Sequence, residues 1–235
     1  MSRAIVLLSA GMDSVVAFKL AYNDYDEIRC ITFAYGQRAQ SRELEYASKI
    51  CAMYHVPHDI VDLSWYFGFR GALTGGGELP QLDSAALEHF ETVEETAKVV
   101  WVPARNAVFL SIGAAFCEHH NFDSIVVGFN KEEAATFPDN SSSFITCFNE
   151  ALQYAVLGDV QVHAPLIHNE KSEIALLGLQ IDAPLEWSWS CYAAESAPCS
   201  VCESCVRRSR AFERIKKNDP LFDRLKRVPQ GSVDG

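Results

Sequence analysis

The sequence predicts an α/β fold, an open parallel sheet with helices on both faces, followed by a small cysteine-bearing helical lobe. Short apolar runs alternate with longer helix-like segments through most of the chain, which is typical of repeated βαβ units. From residue 186 the composition changes to tryptophan and cysteine, and then to arginine and lysine. We therefore predict an α/β domain over 1–185 and a separate C-terminal lobe over 186–235.

Five apolar runs predict the strands of the sheet. The first run is wholly apolar, as expected for a strand that is buried on both faces. The second follows a turn-like Asn-Asp-Tyr-Asp stretch. The predicted strands are 4–8, 28–34, 59–63, 124–128 and 160–163.

Helices are predicted between these strands. In the second helix, Leu44, Ala47 and Cys51 recur at spacings of three and four residues and so share one helix face, and Pro57 lies beyond its end. The predicted helices are 14–21, 43–55, 106–119, 143–157 and 170–180. Two stretches do not follow the pattern. We expect 64–99, which is polar, acidic and glycine-containing, to form a long loop or lid, and 228–235 to be frayed.

Charge and hydropathy exclude some classes of protein. The chain has 31 acidic and 20 basic residues and a formal net charge of -11, which argues against broad adhesion to nucleic acid or to anionic membranes. The segment 206–227 is the exception, with a local charge of +6 against -17 elsewhere. No apolar run approaches the ~20 residues of a membrane span, and the N-terminal run is too short for a signal peptide. We expect a cytoplasmic protein.

The turn after the first strand is a candidate anion site. It contains Ser9, Ala10, Gly11, Met12, Asp13 and Ser14 and leads into the first helix. Such a turn gathers backbone N–H groups at a helix N-terminus, where the helix dipole favours an anion. It is not a Walker loop, which would need Gly-Lys-Ser/Thr. The alternative is an ordinary turn in which Asp13 or Ser14 caps the helix.

Four of the eight cysteines are clustered and predict a metal site. Cys191 is followed by Cys199, Cys202 and Cys205, so that three thiols recur at three-residue steps. In a reducing compartment such thiols are better metal ligands than disulfide partners. Four thiolates suit a structural Zn²⁺ ion, and an iron–sulfur cluster is the alternative. Four unrelated buried cysteines are the remaining interpretation.

Strand-Ser-Ala-Gly-Met-Asp-Ser-helix resembles the phosphate-binding loop of the PP-loop, or N-type ATP pyrophosphatase, superfamily, whose sheet is of the adenine nucleotide alpha hydrolase type. Its members transfer AMP to a substrate oxygen and hold the pyrophosphate of ATP in the loop. Ala10 replaces the commoner glycine, and we expect its methyl group to be tolerated if the backbone there avoids positive φ.

The C-terminal Cys-Tyr-x5-Pro-Cys-x2-Cys-x2-Cys-x2-Arg pattern, together with Tyr-Gly-Gln-Arg at 35–38, Val-Pro-Ala-Arg-Asn at 102–106 and Phe-Pro-Asp at 137–139, resembles the 7-cyano-7-deazaguanine synthase family. Departures from its usual pattern are Ala39, Ser200, 132–136 and 140–141. The resemblance implies 7-carboxy-7-deazaguanine, ammonia and ATP as substrates, Mg²⁺, one structural Zn²⁺ per chain, and a homodimer that binds no nucleic acid.

The resemblance also implies site residues. The expected ATP-binding residues are Leu8, Ser9, Ala10, Gly11, Met12, Asp13, Ser14, Ala34, Tyr35, Gln37, Arg38 and Gly128, and the expected catalytic residues are Asp13, Arg105, Asp139 and Lys171. Arg105 and Lys171 each open a helix, where a cation is disfavoured unless an anion is near. Propensity alone favours Asp139 as a helix cap. Two alternatives stay open: a related enzyme with another acceptor, and a zinc-knuckle module that binds nucleic acid through 207–227.

Overall fold

A computed structural model describes residues 1–69, 71–74, 76–81 and 90–227. Within the last range, only the backbone is described at 90–94. Five parallel strands form one sheet in the order β3-β2-β1-β4-β5. They are β1 (Arg3–Leu7), β2 (Glu27–Ala34), β3 (His58–Asp62), β4 (Ser124–Val126) and β5 (Gln161–His163). The predicted α/β class and all five strands are confirmed, although β4 ends two residues earlier than expected.

The described helices are α1 (Met12–Asp24), α2 (Gln40–Tyr54), α3 (Phe90–Val100), α4 (Arg105–His120), α5 (Lys131–Ala134), α6 (Ser142–Ala155), α7 (Lys171–Gln180), α8 (Glu203–Arg214) and α9 (Pro220–Arg227). Short 3-10 turns lie at Ser64–Gly68, Ala72–Thr74, Pro138–Asn140 and Leu185–Trp187. Among the described helices, none is long and apolar enough to cross a membrane.

The side chains of β1 alternate between two apolar clusters, one on each face of the sheet. Ala4 and Val6 belong to the cluster under α1, α2 and α7, whereas Ile5 belongs to the cluster under α4. This alternation follows from the two-residue period of a strand. Because β2 and β4 flank β1, the chain order reverses beside β1, and open α/β sheets bind ligands at the carboxyl ends of the strands around such a switch point.

The stretch 64–99 is not the unbroken loop that we expected. Two 3-10 turns and most of α3 lie within it, and Ala97 and Val100 of α3 are buried. The acidic composition concealed a helix that is stabilised by packing on one face. Residues 70, 75 and 82–89 of this stretch lie outside the described residues, and so does the predicted fraying of 228–235.

The C-terminal segment packs against the α/β sheet layer. Trp189, Cys202 and Phe212 are each at most 3% exposed and share one apolar cluster with α1. The indole N–H of Trp189 donates to Ala193 O at 3.0 Å, and its backbone N–H donates to Ala10 O at 2.7 Å. Trp189 therefore joins the cysteine segment to the turn after β1. The division of the chain into 1–185 and 186–235 stays a prediction.

Candidate active site

The turn after β1 leaves the N-terminus of α1 without a side-chain cap. Gly11 is the N-cap residue, and as a glycine it has no side chain that could cap the N–H groups of the first helical turn. Ser9 Oγ accepts from the Gly11 N–H at 3.2 Å, and Ser14 Oγ donates back to Gly11 O at 3.0 Å. The alternative in which Asp13 or Ser14 caps the helix is therefore wrong. The free N–H groups of the first turn point to an anion as their partner.

Ala10 adopts the left-handed backbone conformation, so the condition under which we expected its methyl group to be tolerated is not met. Its φ is 58°, a value that favours glycine because a Cβ there crowds the following carbonyl. Its side chain is fully buried, and its carbonyl accepts the hydrogen bond from Trp189. The methyl group is thus accommodated at some backbone cost, and the turn keeps the geometry that a glycine would give it.

A buried charge cluster lies behind this turn. Lys171 Nζ donates to Asp13 Oδ2 and, at 2.8 Å, to Glu133 Oε1. Asn130 Nδ2 also donates to Asp13 Oδ2 at 3.2 Å, whereas Asp13 Oδ1 is buried and accepts no hydrogen bond from the described residues. The expected anionic partner of the helix-opening Lys171 is therefore a pair of carboxylates.

The pKa values of this cluster reflect burial and the lysine. Burial raises the pKa of Asp13, and the attraction of Lys171 only partly opposes this. Burial also acts to raise the pKa of Glu133, but attraction to Lys171 and hydrogen bonds from Lys171 and Asn130 together lower it. The two carboxylates raise the pKa of Lys171 in spite of its burial. Lys171 stays charged at neutral pH.

Gly128 lets β4 approach the turn closely. A Cβ on Gly128 would lie 2.7 Å from the backbone nitrogen of Ser14 and 2.8 Å from the backbone carbon of Asp13. Those atoms are backbone and cannot move aside without displacing α1. Gly128 therefore fixes the distance between the β4 end and the uncapped helix N-terminus.

The segment after β2 forms a second wall. Gln37 Oε1 accepts from the Tyr35 N–H at 2.9 Å, and Gln37 Nε2 donates to Glu43 Oε2 at 2.8 Å. Arg105 Nη1 donates to the Tyr35 hydroxyl at 3.3 Å. Burial raises the pKa of Glu43 to about 7, and its bond from Gln37 and the attraction of Arg105 oppose this only in part.

Arg38 is committed to the chain itself. Its Nε donates to Ala72 O at 2.7 Å, and its Nη2 donates to Gly77 O. Arg38 lines the cleft, yet these bonds tie it to the segment that follows the first 3-10 turn. Arg105, in contrast, donates to the hydroxyl of Tyr35, and both side chains line the cleft.

A third wall carries Asp139. The 3-10 turn Pro138–Asn140 places it beside α4, where Asn106 Nδ2 donates to its backbone carbonyl at 3.3 Å. Burial raises the pKa of Asp139, and the attraction of Arg105 counteracts this. Ser141, not Asp139, caps α6, because its side chain accepts from the Phe144 N–H at 3.1 Å. The expectation that Asp139 is a helix cap is wrong.

The four clustered cysteines converge. Their four sulfur atoms all lie within 4.8 Å of one another, on Cys191, Cys199, Cys202 and Cys205. The backbone N–H groups of Ala193 and Cys199 point at Cys191 Sγ at 3.4 and 3.3 Å, as N–H donors do toward a thiolate. Three of the four cysteines are buried. The arrangement fits a closed metal site, and it makes four unrelated buried cysteines the wrong interpretation.

Arginines of the basic segment 206–227 are engaged within the chain. Arg208 makes two hydrogen bonds to Asp219, at 2.6 and 2.8 Å, and is 3% exposed. Arg207 pairs with Glu132 and Glu203 at 3.1 and 2.8 Å. Arg224 lies 4.0 Å over the Trp187 ring. These three arginines therefore make contacts within the folded chain.

These walls enclose one cleft of about 270 Å³. Nearly all of the expected ligand-contacting residues line it: Leu8, Ser9, Gly11, Met12, Asp13, Ser14, Tyr35, Gln37, Arg38, Arg105, Gly128, Asp139 and Lys171. Ala10 and Ala34 do not, and of the cysteines only Cys191 does. Four further residues that line the cleft were not predicted, because their position depends on contacts between distant segments: Glu43, Glu133, Trp101 and Arg207.

The fold and this turn define a class of protein. A parallel sheet with an uncapped, tightly bent turn at its switch point is typical of α/β proteins that bind nucleotides or other phosphate-bearing ligands. The structure of NMN synthetase from Francisella tularensis superimposes with a TM-score of 0.50 over 96% of this chain and 82% of that one, at 16% identity. That likeness concerns the fold.

The family follows from the sequence comparison. The chain belongs to the queuosine biosynthesis protein QueC family, whose model matches residues 3–216. A 7-cyano-7-deazaguanine synthase from Methanosarcina barkeri is 44% identical over 95% of this chain and 99% of its own length. Another, from Methanothermobacter thermautotrophicus, is 46% identical over 93% and 97%. The resemblance that the motifs indicated is confirmed.

Proposed function

We propose that this chain is an ATP-dependent carbon–nitrogen ligase that converts 7-carboxy-7-deazaguanine and ammonia to 7-cyano-7-deazaguanine. The observation that carries the proposal is the uncapped helix N-terminus at Gly11, placed in one cleft with Arg105 and Lys171 in a chain of the QueC family. The family membership supports the acceptor, and the turn supports the use of ATP.

The chemistry explains why ATP is needed. A carboxylate is a poor electrophile because its leaving group would be oxide. Transfer of AMP to one carboxylate oxygen releases pyrophosphate and makes AMP the leaving group, so that ammonia can form the amide. A second AMP transfer, to the amide oxygen, then lets that oxygen leave with AMP as the amide loses two protons and becomes a nitrile.

The turn after β1 suits the pyrophosphate part of ATP. Its free backbone N–H groups supply donors without a net positive charge, which reconciles anion binding with a net charge of -11. Arg105 lines the cleft, donates to the Tyr35 hydroxyl and is attracted by Asp139, and it would offset the charge that develops during AMP transfer. Lys171 holds Asp13 and Glu133 in place behind the turn.

Asp13 and Glu133 suit a magnesium ion. Mg²⁺ binds carboxylate oxygens and phosphates, and it would neutralise phosphate charge when bound. Asp13 Oδ1 is a buried oxygen that accepts nothing from the described part of the chain, as a ligand atom would be before the ion binds. Asp13 and Glu133 thus form the donor set that this structure offers to the ion.

The cysteine site suits one zinc ion. With a Zn–S distance of about 2.3 Å, a tetrahedral ion holds its sulfurs about 3.8 Å apart, and Cys199 and Cys205 are 4.0 Å apart here. An iron–sulfur cluster places several atoms among its thiolates and needs a wider cage. Metal analysis tests this: one zinc per chain is expected, and Cys202→Ser should lose it while the exposed Cys147→Ser keeps it.

A free base is favoured over a nucleic acid as the acceptor, because Arg207, Arg208 and Arg224 of the basic segment are engaged within the chain. The alternative of a base-thiolating enzyme needs a nucleophilic cysteine in the cleft. Only Cys191 lines it, and it belongs to the metal cluster. We expect the enzyme to act as a homodimer in the cytoplasm.

The test is a product assay. The purified chain is incubated with ATP, Mg²⁺, ammonium and 7-carboxy-7-deazaguanine, and products are followed by mass. We expect the amide first and the nitrile later, with AMP and pyrophosphate as the nucleotide products. If neither compound forms while the metal stays bound, the proposed function is wrong.

A further inference from the structure

The lining of the cleft includes two nearly parallel aromatic rings to which the ATP site proposed above assigns no role. Trp101, between α3 and α4, and Phe137 lie within 10° of parallel, with ring centroids 6.0 Å apart. Both side chains are partly exposed, and both line the cleft. A flat apolar surface that is partly wetted gains free energy when a planar aromatic ring covers it.

Asp139 lies beside this wall. It follows Phe137 by two residues, lines the same cleft and is held on a short 3-10 turn. Asn140 Nδ2 donates to its Oδ1 at 3.3 Å. Burial raises the pKa of Asp139, and the positive charge of Arg105 opposes this. An ionised carboxylate has two oxygens that only accept hydrogen bonds. It therefore selects a ligand edge that presents N–H donors.

We propose that the Trp101–Phe137 wall stacks against the bicyclic ring of the acceptor and that Asp139 selects this ring by accepting two hydrogen bonds from one edge of it. The inference rests on the proposed function, because the ring concerned is that of 7-carboxy-7-deazaguanine. Its N1–H and 2-amino groups are adjacent donors, which match one carboxylate.

This assignment solves a selection problem that the reaction creates. Two purine-like rings must enter one cleft, the adenine of ATP and the deazaguanine, and they must not exchange places. Adenine presents an acceptor nitrogen at the position where the deazaguanine presents N1–H. The Asp139 carboxylate therefore repels adenine and attracts the acceptor. Asp139 is thus a specificity-determining residue.

The test compares two compounds and two proteins. The compounds are 7-carboxy-7-deazaguanine and its analogue without the 2-amino group, and the proteins are the whole chain and Asp139→Asn. Asparagine keeps the shape and still accepts one bond, but it cannot accept two. We expect the wild-type chain to bind 7-carboxy-7-deazaguanine about 10- to 100-fold more tightly than the analogue, which is the discrimination that one bidentate pair provides. Asp139→Asn should prefer it by less than about 3-fold.

The ratio of the two affinities separates selection from mere support of α4. If Asp139 only supports the fold, Asp139→Asn binds both compounds more weakly and leaves the ratio of the two affinities unchanged. That result would overturn the inference. Trp101→Leu should weaken both compounds about 10-fold and leave both the ratio and ATP binding intact. Trp65→Leu is the matched control, because this exposed tryptophan does not line the cleft. An unchanged affinity in Trp101→Leu would overturn the stacking assignment.

The two levels of failure can be told apart. A wild-type chain that turns over 7-carboxy-7-deazaguanine but accepts the desamino analogue equally well contradicts the inference alone, and this needs no variant. A wild-type chain that neither binds nor converts 7-carboxy-7-deazaguanine contradicts the proposed function, and the inference fails with it.

Discussion

Replacing Lys171 with methionine should expose the electrostatic cost of the charge cluster behind the turn. Lys171 Nζ bonds to both Asp13 and Glu133, and the Lys171 side chain is 9% exposed. Methionine has a similar length but leaves two partly buried carboxylates without their cation. Breaking a buried ion pair by removing one partner costs about 3 to 5 kcal/mol. We therefore expect the free energy of unfolding of Lys171→Met to be lower than that of wild type by this amount near pH 8.

The pH dependence of this loss has a definite sign. Without the lysine, the pKa values of Asp13 and Glu133 in the folded state lie above their unfolded values. The folded state then gains relative stability as the pH falls and both groups bind protons. The deficit of Lys171→Met relative to wild type should therefore be largest near pH 8 and should shrink toward pH 5.

Urea denaturation at about pH 5 and about pH 8 measures both quantities. Lys131→Met is the matched control, because Lys131 is 62% exposed and pairs with Glu170 at 3.3 Å; its loss should stay below about 1 kcal/mol. A loss below about 1 kcal/mol for Lys171→Met near pH 8, or the same loss at both pH values, would refute this reasoning.

Three further substitutions test other parts of the site. Gly128→Ala should cost about 1 to 3 kcal/mol of stability and weaken ATP binding, because its Cβ would meet the α1 backbone, whereas Gly158→Ala, with open space around it, should do neither; equal effects of the two would contradict this. Ala10→Gly should stabilise the chain by up to about 1 kcal/mol in the same unfolding assay, because φ is 58° there; a clear loss would argue against a strained turn. The free energy of unfolding of wild type should fall by up to about 3 kcal/mol as the pH rises from the unfolded pKa of Glu43 toward its folded pKa of about 7. Glu43→Gln should remove this pH dependence; the same pH dependence in the variant would show that Glu43 titrates normally.

Local patterns predicted the elements of the fold well. The wholly apolar run at 4–8 and the spacing of Leu44, Ala47 and Cys51 express burial directly, and the structure has a strand and a helix there. The helix α3 was missed because its acidic composition hides the apolar face on which Ala97 and Val100, among its described side chains, are buried. The conformation of Ala10 was missed because nothing local forces positive φ, and the hydrogen bond from Trp189 is a long-range contact.

The candidate site was predictable where chemistry is local in the chain. The turn at Ser9–Ser14 and the cysteine spacing could be found from residue types alone. The partners of Asp13 could not, because Lys171 is 158 residues away and Asn130 is 117 residues away. The raised pKa of Glu43 could not be predicted either, because it follows from burial in the folded chain, where Gln37 donates a hydrogen bond to its carboxylate.

The central claim is that AMP is transferred twice, first to the carboxylate and then to the amide. It is tested most directly with 7-carboxy-7-deazaguanine that carries ¹⁸O in both carboxylate oxygens. The account predicts two molecules of ¹⁸O-labelled AMP for each nitrile formed, because each oxygen leaves on the phosphorus that activated it. Label recovered in inorganic phosphate, or AMP without label, would contradict it.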